Sequence, residues 1–344
     1  MNKWYEDPGT PGSNVIYSRI RLVRNWREYP FPGKMTREQS AEMTGKLYEG
    51  LAGIGSLEGK KFRFAYLDRM ADLEKTALFE RRAINRSVLK KHQPSGLILS
   101  EDEREGVVLN GDDHIRIQTV DMGLCLSRLY QRADRIDDYI GNRFDYSFDE
   151  KYGYLTSFPT NVGTGLRASA VVHLPVLSRK KNFASLTADM ARFGPVIRGV
   201  YGDGGENFGS LYQVSNQKTL GQSEKEIIDL VAKTAAELDV QEKKLRKDAL
   251  RQRPLGRADE AYKSYGVLRY ARRLTRKDAM ELLSQIMAGI NDGILKTDEP
   301  CSLFGLMVGI QPANLLSRSE KPLSREELDA ARAAFLRERL PEIQ

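Results

Sequence analysis

Five arginines stand in or beside strand and turn signals along this chain: Arg19, Arg21, Arg116, Arg167 and Arg198. A guanidinium stays charged at any working pH, and its planar fork matches the oxygens of a phosphate. Arg19 and Arg21 are two apart in VIYSRIRLV, Val15 to Val23. On a strand that spacing puts both on one face, with Ile16, Ile20 and Leu22 among the residues on the other. A charged solvent face explains the segment equally well. Arg167 follows a glycine turn in GYLTSFPTNVGTGLRAS, Gly153 to Ser169. Glycines let backbone N–H groups approach an anion, although the same residues make an ordinary surface turn. Arg198 precedes the acidic, glycine-rich loop YGDGGENFG. Arg116 ends a segment, NGDDHIR, in which Asp112 and Asp113 adjoin His114. Acid and base groups at a strand end suit proton transfer, and an Asn-Gly hairpin turn with flanking charges is the competing reading. Five converging guanidinium groups would neutralise a nucleoside triphosphate without a Walker loop, and no GxxxxGK[ST] occurs. The motif set of the Gly-loop protein kinases is missing too.

The elements that must position these residues follow from periodicity and turn chemistry. Thr36 to Leu51 starts on a capping pattern and reads as a helix. Phe62 to Leu67 reads as a strand, and Met70 to Leu89 as one charged helix. Ser95 to Leu99 and Gly106 to Leu109 form a hairpin around an acidic turn. Gly123 to Ile140 is helical, Tyr154 to Phe158 a short strand, and Pro159 to Gly165 a turn. Val196 to Val200 and Leu211 to Ser215 are further strands. No regular βαβ rhythm appears, so the expected class is α+β around a mainly antiparallel sheet. After Ser223 the pattern becomes helical. Glu224 to Leu250 is one long helix, residues 251–265 look basic and turn-like, and helices follow around Arg269 to Arg273, Lys277 to Asn291 and Arg325 to Arg339. The expected division is a lead-in over 1–14, a catalytic domain over 15–250 and an all-helical module over 251–344. The module suits self-association or partner binding, and a plain helical cap fits the pattern as well.

Composition narrows the class. The chain has 344 residues, 40% of them hydrophobic, enough for a sizeable core. With 54 basic and 47 acidic residues the net charge is +7, which suits a phosphate ligand but makes no case for nucleic acid. Cys125 and Cys301 lack metal-ligand spacing and form no disulfide framework. Three histidines, His92, His114 and His173, make a multi-histidine metal site improbable. The opening MNKWYEDPGTPGS has no signal pattern, and no apolar run could span a bilayer. A soluble cytoplasmic protein, with no membrane partner, is expected.

SRIRLVRN, NGDDHIR, FPTNVGTGLRAS and IRGVYGDG, in that order, resemble the guanidino kinases (phosphagen kinases). They resemble the bacterial protein-arginine kinase branch most closely. SNQKTLGQSE and YKSYGVLRYAR extend the likeness into the helical tail. The resemblance implies a phosphagen-kinase-like domain that phosphorylates protein arginines with ATP and Mg²⁺. On it the nucleotide site comprises Tyr17, Ser18, Arg19, Ile20, Arg21, Arg116, Arg167, Ala168, Ser169, Ala170, Val171, Arg198, Gly199, Val200, Tyr201, Gly202 and Asp203. The five arginines would hold phosphates, with the metal taking no direct protein ligand. Asp112 and Asp203 would grip the substrate guanidinium as catalytic carboxylates. The resemblance further implies a homodimer through the helical tail, an McsA-like activator, and a Clp ATPase that degrades marked proteins or a stress repressor under control.

Several positions depart from the family pattern. NEEDH is NGDDH here, so Gly111 replaces a glutamate. Asp112 and Asp203 replace glutamates and are shorter by one methylene, about 1.5 Å. Phe158, in the substrate pocket, replaces the cysteine of CPTN. Of a phosphoarginine-binding RDxxRA motif, Asp329 and Arg332 remain while Leu328 takes the place of the first arginine. A catalytically weakened relative that binds nucleotide or partner proteins is therefore an alternative. A small guanidino-compound kinase is another, and the short chain ahead of SRIR counts against it.

Overall fold

The computed structural model describes residues 2–202 and 207–344. Its centre is an eight-stranded sheet in which every pairing is antiparallel. The strands are β1 (Val15–Arg24), β2 (Phe62–Tyr66), β3 (Gly96–Ser100), β4 (Glu105–Leu109), β5 (Ile115–Met122), β8 (Leu166–His173), β9 (Pro195–Gly199) and β10 (Leu211–Asn216). Two short strands, β6 (Phe148–Asp149) and β7 (Gly153–Tyr154), pair apart from it. The order across the sheet is β2-β3-β4-β5-β1-β8-β10-β9, so β1 lies inside with β5 and β8 on its flanks.

Among the described residues twelve α-helices surround the sheet: α1 (Arg37–Gly50), α2 (Gly55–Glu58), α3 (Asp72–Glu80), α4 (Arg86–Leu89), α5 (Leu126–Gly141), α6 (Phe183–Arg192), α7 (Glu224–Gln252), α8 (Pro254–Tyr270), α9 (Arg276–Asn291), α10 (Leu303–Gly309), α11 (Pro312–Leu316) and α12 (Arg325–Arg339). One sheet face, carrying Ile20, Leu22, Ile117, Ala168, Ala170 and Val214, packs against α1, α5 and α7 through residues such as Leu47, Leu129 and Val231. The opposite face is covered in two places. Val108 on β4 packs with Leu78 of α3 and with Ala83, Ile84 and Val88. Tyr17, Val120 and Val171 pack against the C-terminal helices through Met280, Leu283 and Phe304. Between these covers the polar side chains of that face remain.

Four expectations change. Met70 to Leu89 is not one helix: α3 ends at Glu80 and α4 starts at Arg86. Arg82 adopts a left-handed φ of 70°, and the Ala83 N–H reaches back to the Leu78 carbonyl at 2.9 Å. This is the Schellman termination, here with arginine at the position glycine usually takes. Residues 251–265 are helical rather than turn-like. α7 runs to Gln252, and Pro254 starts α8 with the pre-set φ that favours a first helical position. The lead-in is docked rather than loose, because Trp4 is 1% exposed and its ring meets those of Tyr17 and Phe304. The strand read over Tyr154 to Phe158 shrinks to Gly153–Tyr154.

The C-terminal module is tied to the sheet by polar contacts as well. His173 of β8 meets the Ser284 hydroxyl of α9 at 2.7 Å. Glu80 accepts the N–H groups of Ala313 and Asn314, at 3.0 and 2.9 Å, and so anchors α11 to the end of α3.

His114 pins the loop after β1. Its Nδ1 accepts the Trp26 N–H at 3.0 Å, which leaves Nε2 to donate to the Pro30 carbonyl at 2.9 Å. Burial pushes its pKa down to about 4, so the ring is neutral in the fold. The unfolded chain therefore binds the extra proton first. The stability His114 supplies is complete above its ordinary value near 6.5 and drains away as pH falls from there toward 4. The expected slope is up to about 1.4 kcal/mol per pH unit from this group. Urea midpoints of wild type and His114→Gln between pH 7 and 4.5 check this, and an unchanged slope in the variant would refute it.

Candidate active site

Strand register decides where the five arginines point. On β1, Arg21 lies opposite Arg167 of β8 and Gln118 of β5. Val23, on the same face, lies opposite Arg116, and Arg19 lies opposite Ser169 and Val120. Ser169 pairs with Ser215 of β10, and Gln213, two residues before it, pairs with Arg198 of β9. Side chains directly opposite in a sheet share a face. All five guanidinium groups therefore stand on the face away from α5 and α7. Arg24 goes the other way and forms a buried pair with Asp137 of α5 at 2.6 Å.

Arg19, Arg21 and Arg116 are largely desolvated and short of partners, whereas Arg167 is better satisfied. Arg19 donates to Gln213 Oε1 at 3.0 Å. Arg167 donates to Asn161 Oδ1 at 3.0 Å and to the Asn216 carbonyl at 2.7 Å. Arg198 is exposed at the sheet edge. None of the five pairs with a carboxylate among the described residues. The Nε atoms of Arg19, Arg21 and Arg116 are buried without any hydrogen-bond partner. Burial, and then repulsion from Arg19, Arg116 and Arg167, pushes the Arg21 pKa well down. Burial and the nearby Arg19 pull Arg116 down to about 10. A face that keeps uncompensated cations in a low-dielectric setting is built to receive an anion.

The acidic side of the site is the β4–β5 turn. Asn110 sits at a φ of 53°, and Asp112 accepts a 2.7 Å hydrogen bond from Asn85 Nδ2. Lys91 Nζ donates to the Gly111 carbonyl at 2.8 Å and to Asn110 Oδ1 at 3.2 Å, bracing the turn from behind. Burial lowers the Lys91 pKa to about 8, against the pull of Asp112. Gly111 is closely flanked: a Cβ there would meet Val88 Cγ2 at 3.2 Å and Val108 Cγ1 at 3.3 Å. A cavity of about 110 Å³ is lined by Asp112, Asn85 and Gly111 together with Arg21, Arg116 and Arg167.

The neighbours of Asp112 do other work. Asp113 accepts from Asn25 Nδ2 at 2.8 Å and from the Ser157 N–H at 2.7 Å, which ties the Phe158 loop to the turn. His114 is committed to Trp26 and Pro30 and is no proton shuttle.

The other sequence-derived positions divide. Ser169 lies on the arginine face, its hydroxyl donating to the Arg19 carbonyl at 3.4 Å. Ile20, Ala168 and Ala170 are buried on the opposite face, so their side chains meet α5 and α7 rather than the cleft. Ser18 also turns away and donates to the Gly123 carbonyl at 2.7 Å. Tyr17 and Val171 belong to the core under the C-terminal helices. Gly199 ends β9, and Val200, Tyr201 and Gly202 follow it beside that core. Asp203 lies outside the described residues. Phe158 is 50% exposed and does not line the cavity, although Asn161, three residues on, does. Asp329 and Arg332 are remote from the site. Arg332 is buried, paired with Asp329, and donates to the carbonyls of Leu274 and Ile310. Those bonds engage Nε and Nη1 and tie Arg332 into the fold.

Sequence reasoning missed Arg82 and read Asn85 only as standing where the resembled family usually has a histidine; both lie in the break between α3 and α4. Arg82 lies over the Tyr201 ring at 4.6 Å, and its Nε is buried and unpartnered like those of the arginine face. The run Arg81-Arg82-Ala83-Ile84-Asn85 contains no glycine or proline, so it carries no stop signal.

Fold and site together define a phosphotransferase of the phosphagen-kinase type. The solved lombricine kinase superposes with a TM-score of 0.60 at 24% identity, covering 68% of this chain and 67% of that one. The duplicated taurocyamine kinase from Schistosoma mansoni, with bound transition-state-analogue components, gives 0.61 at 24% identity, over 70% of this chain and 34% of that one. Residues 46–245 match the family described as ATP:guanido phosphotransferase, C-terminal catalytic domain, and residues 256–344 match the protein-arginine kinase McsB C-terminal domain. The protein-arginine kinase of Bacillus velezensis is 37% identical over 99% of this chain and 93% of its own length. That of Halothermothrix orenii is 33% identical over 99% and 97%. The chain belongs to the ATP:guanido phosphotransferase family, in its protein-arginine kinase branch.

Replacing Arg21 with Met removes a desolvated cation and leaves an apolar side chain of similar reach. The ligand-free variant should unfold about 2–4 °C above wild type. Its turnover should fall on the order of 10³-fold, the scale of losing an arginine that stabilises phosphoryl transfer. Calorimetry and a kinase assay read the two effects, and a lowered unfolding temperature would contradict the electrostatic account of this face.

Proposed function

We propose that this chain transfers the γ-phosphoryl group of ATP to arginine side chains of proteins. The observation that carries the reading is the single sheet face with five guanidinium groups, without carboxylate partners among the described residues, beside a held carboxylate. The donor set fits a triphosphate: buried N–H groups without acceptors would find them in phosphate oxygens. Arg19, Arg21, Arg116, Arg167 and Arg198 would hold the phosphate chain, with Arg21, Arg116 and Arg167 nearest the cavity.

The target guanidinium is a poor nucleophile because it is protonated and delocalised. Asp112 orients it and takes the proton from the attacking nitrogen as the N–P bond forms. The bond from Pγ to the ADP oxygen breaks in the same passage, and the arginines keep the departing charge neutralised. By family resemblance Mg²⁺ would arrive on the phosphates with its water. Bound there, it would add charge neutralisation. Asp203 is assigned the second grip on the guanidinium by family resemblance alone.

The setting is read from the same resemblance. It comprises cytoplasm, an McsA-like activator, a Clp ATPase that receives marked proteins, and a stress repressor as one target. No described helix is long and apolar enough to cross a membrane. Leu255, Tyr262, Val267 and Tyr270 leave apolar surface exposed on α8, which supports a homodimer through the C-terminal module.

Incubation with ATP, Mg²⁺ and an arginine-rich protein such as casein should give acid-labile phosphate on arginine. Asp112→Asn should lower the rate about 10²–10⁴-fold while ATP still binds. Nucleotide binding without any phosphoarginine would support the non-catalytic alternative. Phosphate on free arginine but none on protein would favour a small guanidino substrate.

A further inference from the structure

Asn85 has two ends, and only one is accounted for. Its Nδ2 donates to Asp112 Oδ2 at 2.7 Å. An ionised carboxylate only accepts, so the amide nitrogen must face Asp112 and the amide oxygen must face elsewhere. That oxygen is buried and has no hydrogen-bond partner. Asn85 lines the cavity together with Asp112, Arg21, Arg116 and Arg167. The guanidinium groups there are donors, and the proposed function assigns them to the phosphates. A buried acceptor without a donor is costly to keep unless one arrives with the ligand.

An arginine entering this cavity brings five N–H donors in a rigid fork. Asp112, an aspartate rather than a longer acid, cannot satisfy them alone. Asn161 Oδ1 already accepts from Arg167, and Asp113 Oδ1 accepts from Asn25 and Ser157. The free acceptors of the cavity wall include Asn85 Oδ1 and Asp113 Oδ2, both buried without partners. Asn85 stands directly against the carboxylate that takes the proton.

We propose that Asn85 is a substrate-contacting residue, whose Nδ2 fixes Asp112 while its Oδ1 accepts an N–H of the arginine being phosphorylated. The inference rests on the protein-arginine kinase reading and deepens it. It makes the acidic wall a pair, a carboxylate and a carboxamide locked together, that presents a row of acceptors to a planar cation. The break between α3 and α4 is what brings the carboxamide there.

The two roles separate by substitution. Asn85→Ala loses both, and Asn85→Asp keeps an acceptor toward the substrate but loses the donor toward Asp112. Binding of a single-arginine peptide is measured calorimetrically with Mg²⁺ and ADP present, beside kcat with ATP. Asn85→Ala should weaken peptide binding about tenfold, a typical loss for a hydrogen bond to a charged group, and lower kcat as well. Asn85→Asp should bind the peptide as wild type does or more tightly, yet lose kcat through repulsion of Asp112. ADP affinity and unfolding temperature, unchanged in both variants, show that the site has kept its fold. Peptide binding unaltered in Asn85→Ala would overturn the contact and leave Asn85 as a positioning residue. A wild-type enzyme that phosphorylates no arginine substrate would instead overturn the functional reading, and this contact with it.

Discussion

Like charges held together out of water are the constraint on which this structure depends. Arg19, Arg21, Arg116 and Arg167 occupy neighbouring positions on β1, β5 and β8, and Arg21 is disfavoured by burial and by the other three at once. Such a cluster persists only if the surrounding fold is stable without it. The sheet supplies that stability from its other face, where Ile20, Leu22, Ile117 and Ala168 pack under α1, α5 and α7. Beyond the irregularity at its start, β1 divides its residues by parity from Ser18 to Arg24. Even positions such as Ile20 and Leu22 face the core, and Arg19 and Arg21 stand on the other face.

The second dependence is the end of α3. Glu80 holds α11, Arg82 meets Tyr201, and Asn85 holds Asp112, all within six residues. Arg116 and Gln118 also donate to the backbone here, to the carbonyls of Ala83 and Arg82 at 3.4 and 2.8 Å. A regular helix could not serve these contacts, since successive side chains would turn away by about 100° each. The left-handed Arg82 ends the helix and lays the next residues along the cleft. A non-glycine residue in that conformation costs roughly 1–2 kcal/mol, and it is kept where the chain must reach a site. The C-terminal module thus touches the active site through a short strut as well as through the core it shares with Tyr17 and Val171.

How much of this was legible differs residue by residue. The shared face of Arg19 and Arg21 follows from a spacing of two, and the strands and the long C-terminal helices follow from periodicity. The alignment of Arg116, Arg167 and Arg198 with that face is a matter of register between strands distant in sequence, which spacing within a segment does not encode. Their places beside strand and turn signals grouped them, and family resemblance supplied the shared role. The break at Arg81 to Asn85 was hidden because helix-compatible residues fill it, and tertiary contacts end the helix where propensity would continue it. α8 was hidden for the opposite reason. Its start is rich in Arg, Pro and Gly, but Arg257 pairs with Glu260 at 2.8 Å and with Asp292 at 3.2 Å and so belongs to a folded surface.

The departures from the family pattern acquire a physical order when they are placed in one cavity. Gly111 lies between Val88 and Val108, which would crowd a side chain at that position. Without one, the turn is held by the Lys91 bonds to the Gly111 carbonyl and to Asn110. Asp112 is short, but Asn85 fixes one of its oxygens and stands beside it facing the arginines. A decaying site would lose its acids without gaining partners for what remained. Here Val88 and Val108 close the space beside Gly111, Asn85 restrains Asp112, and the five arginines are all retained. Phe158 stands apart from that exchange. It is half exposed and outside the cavity that Asn85, Gly111 and Asp112 share.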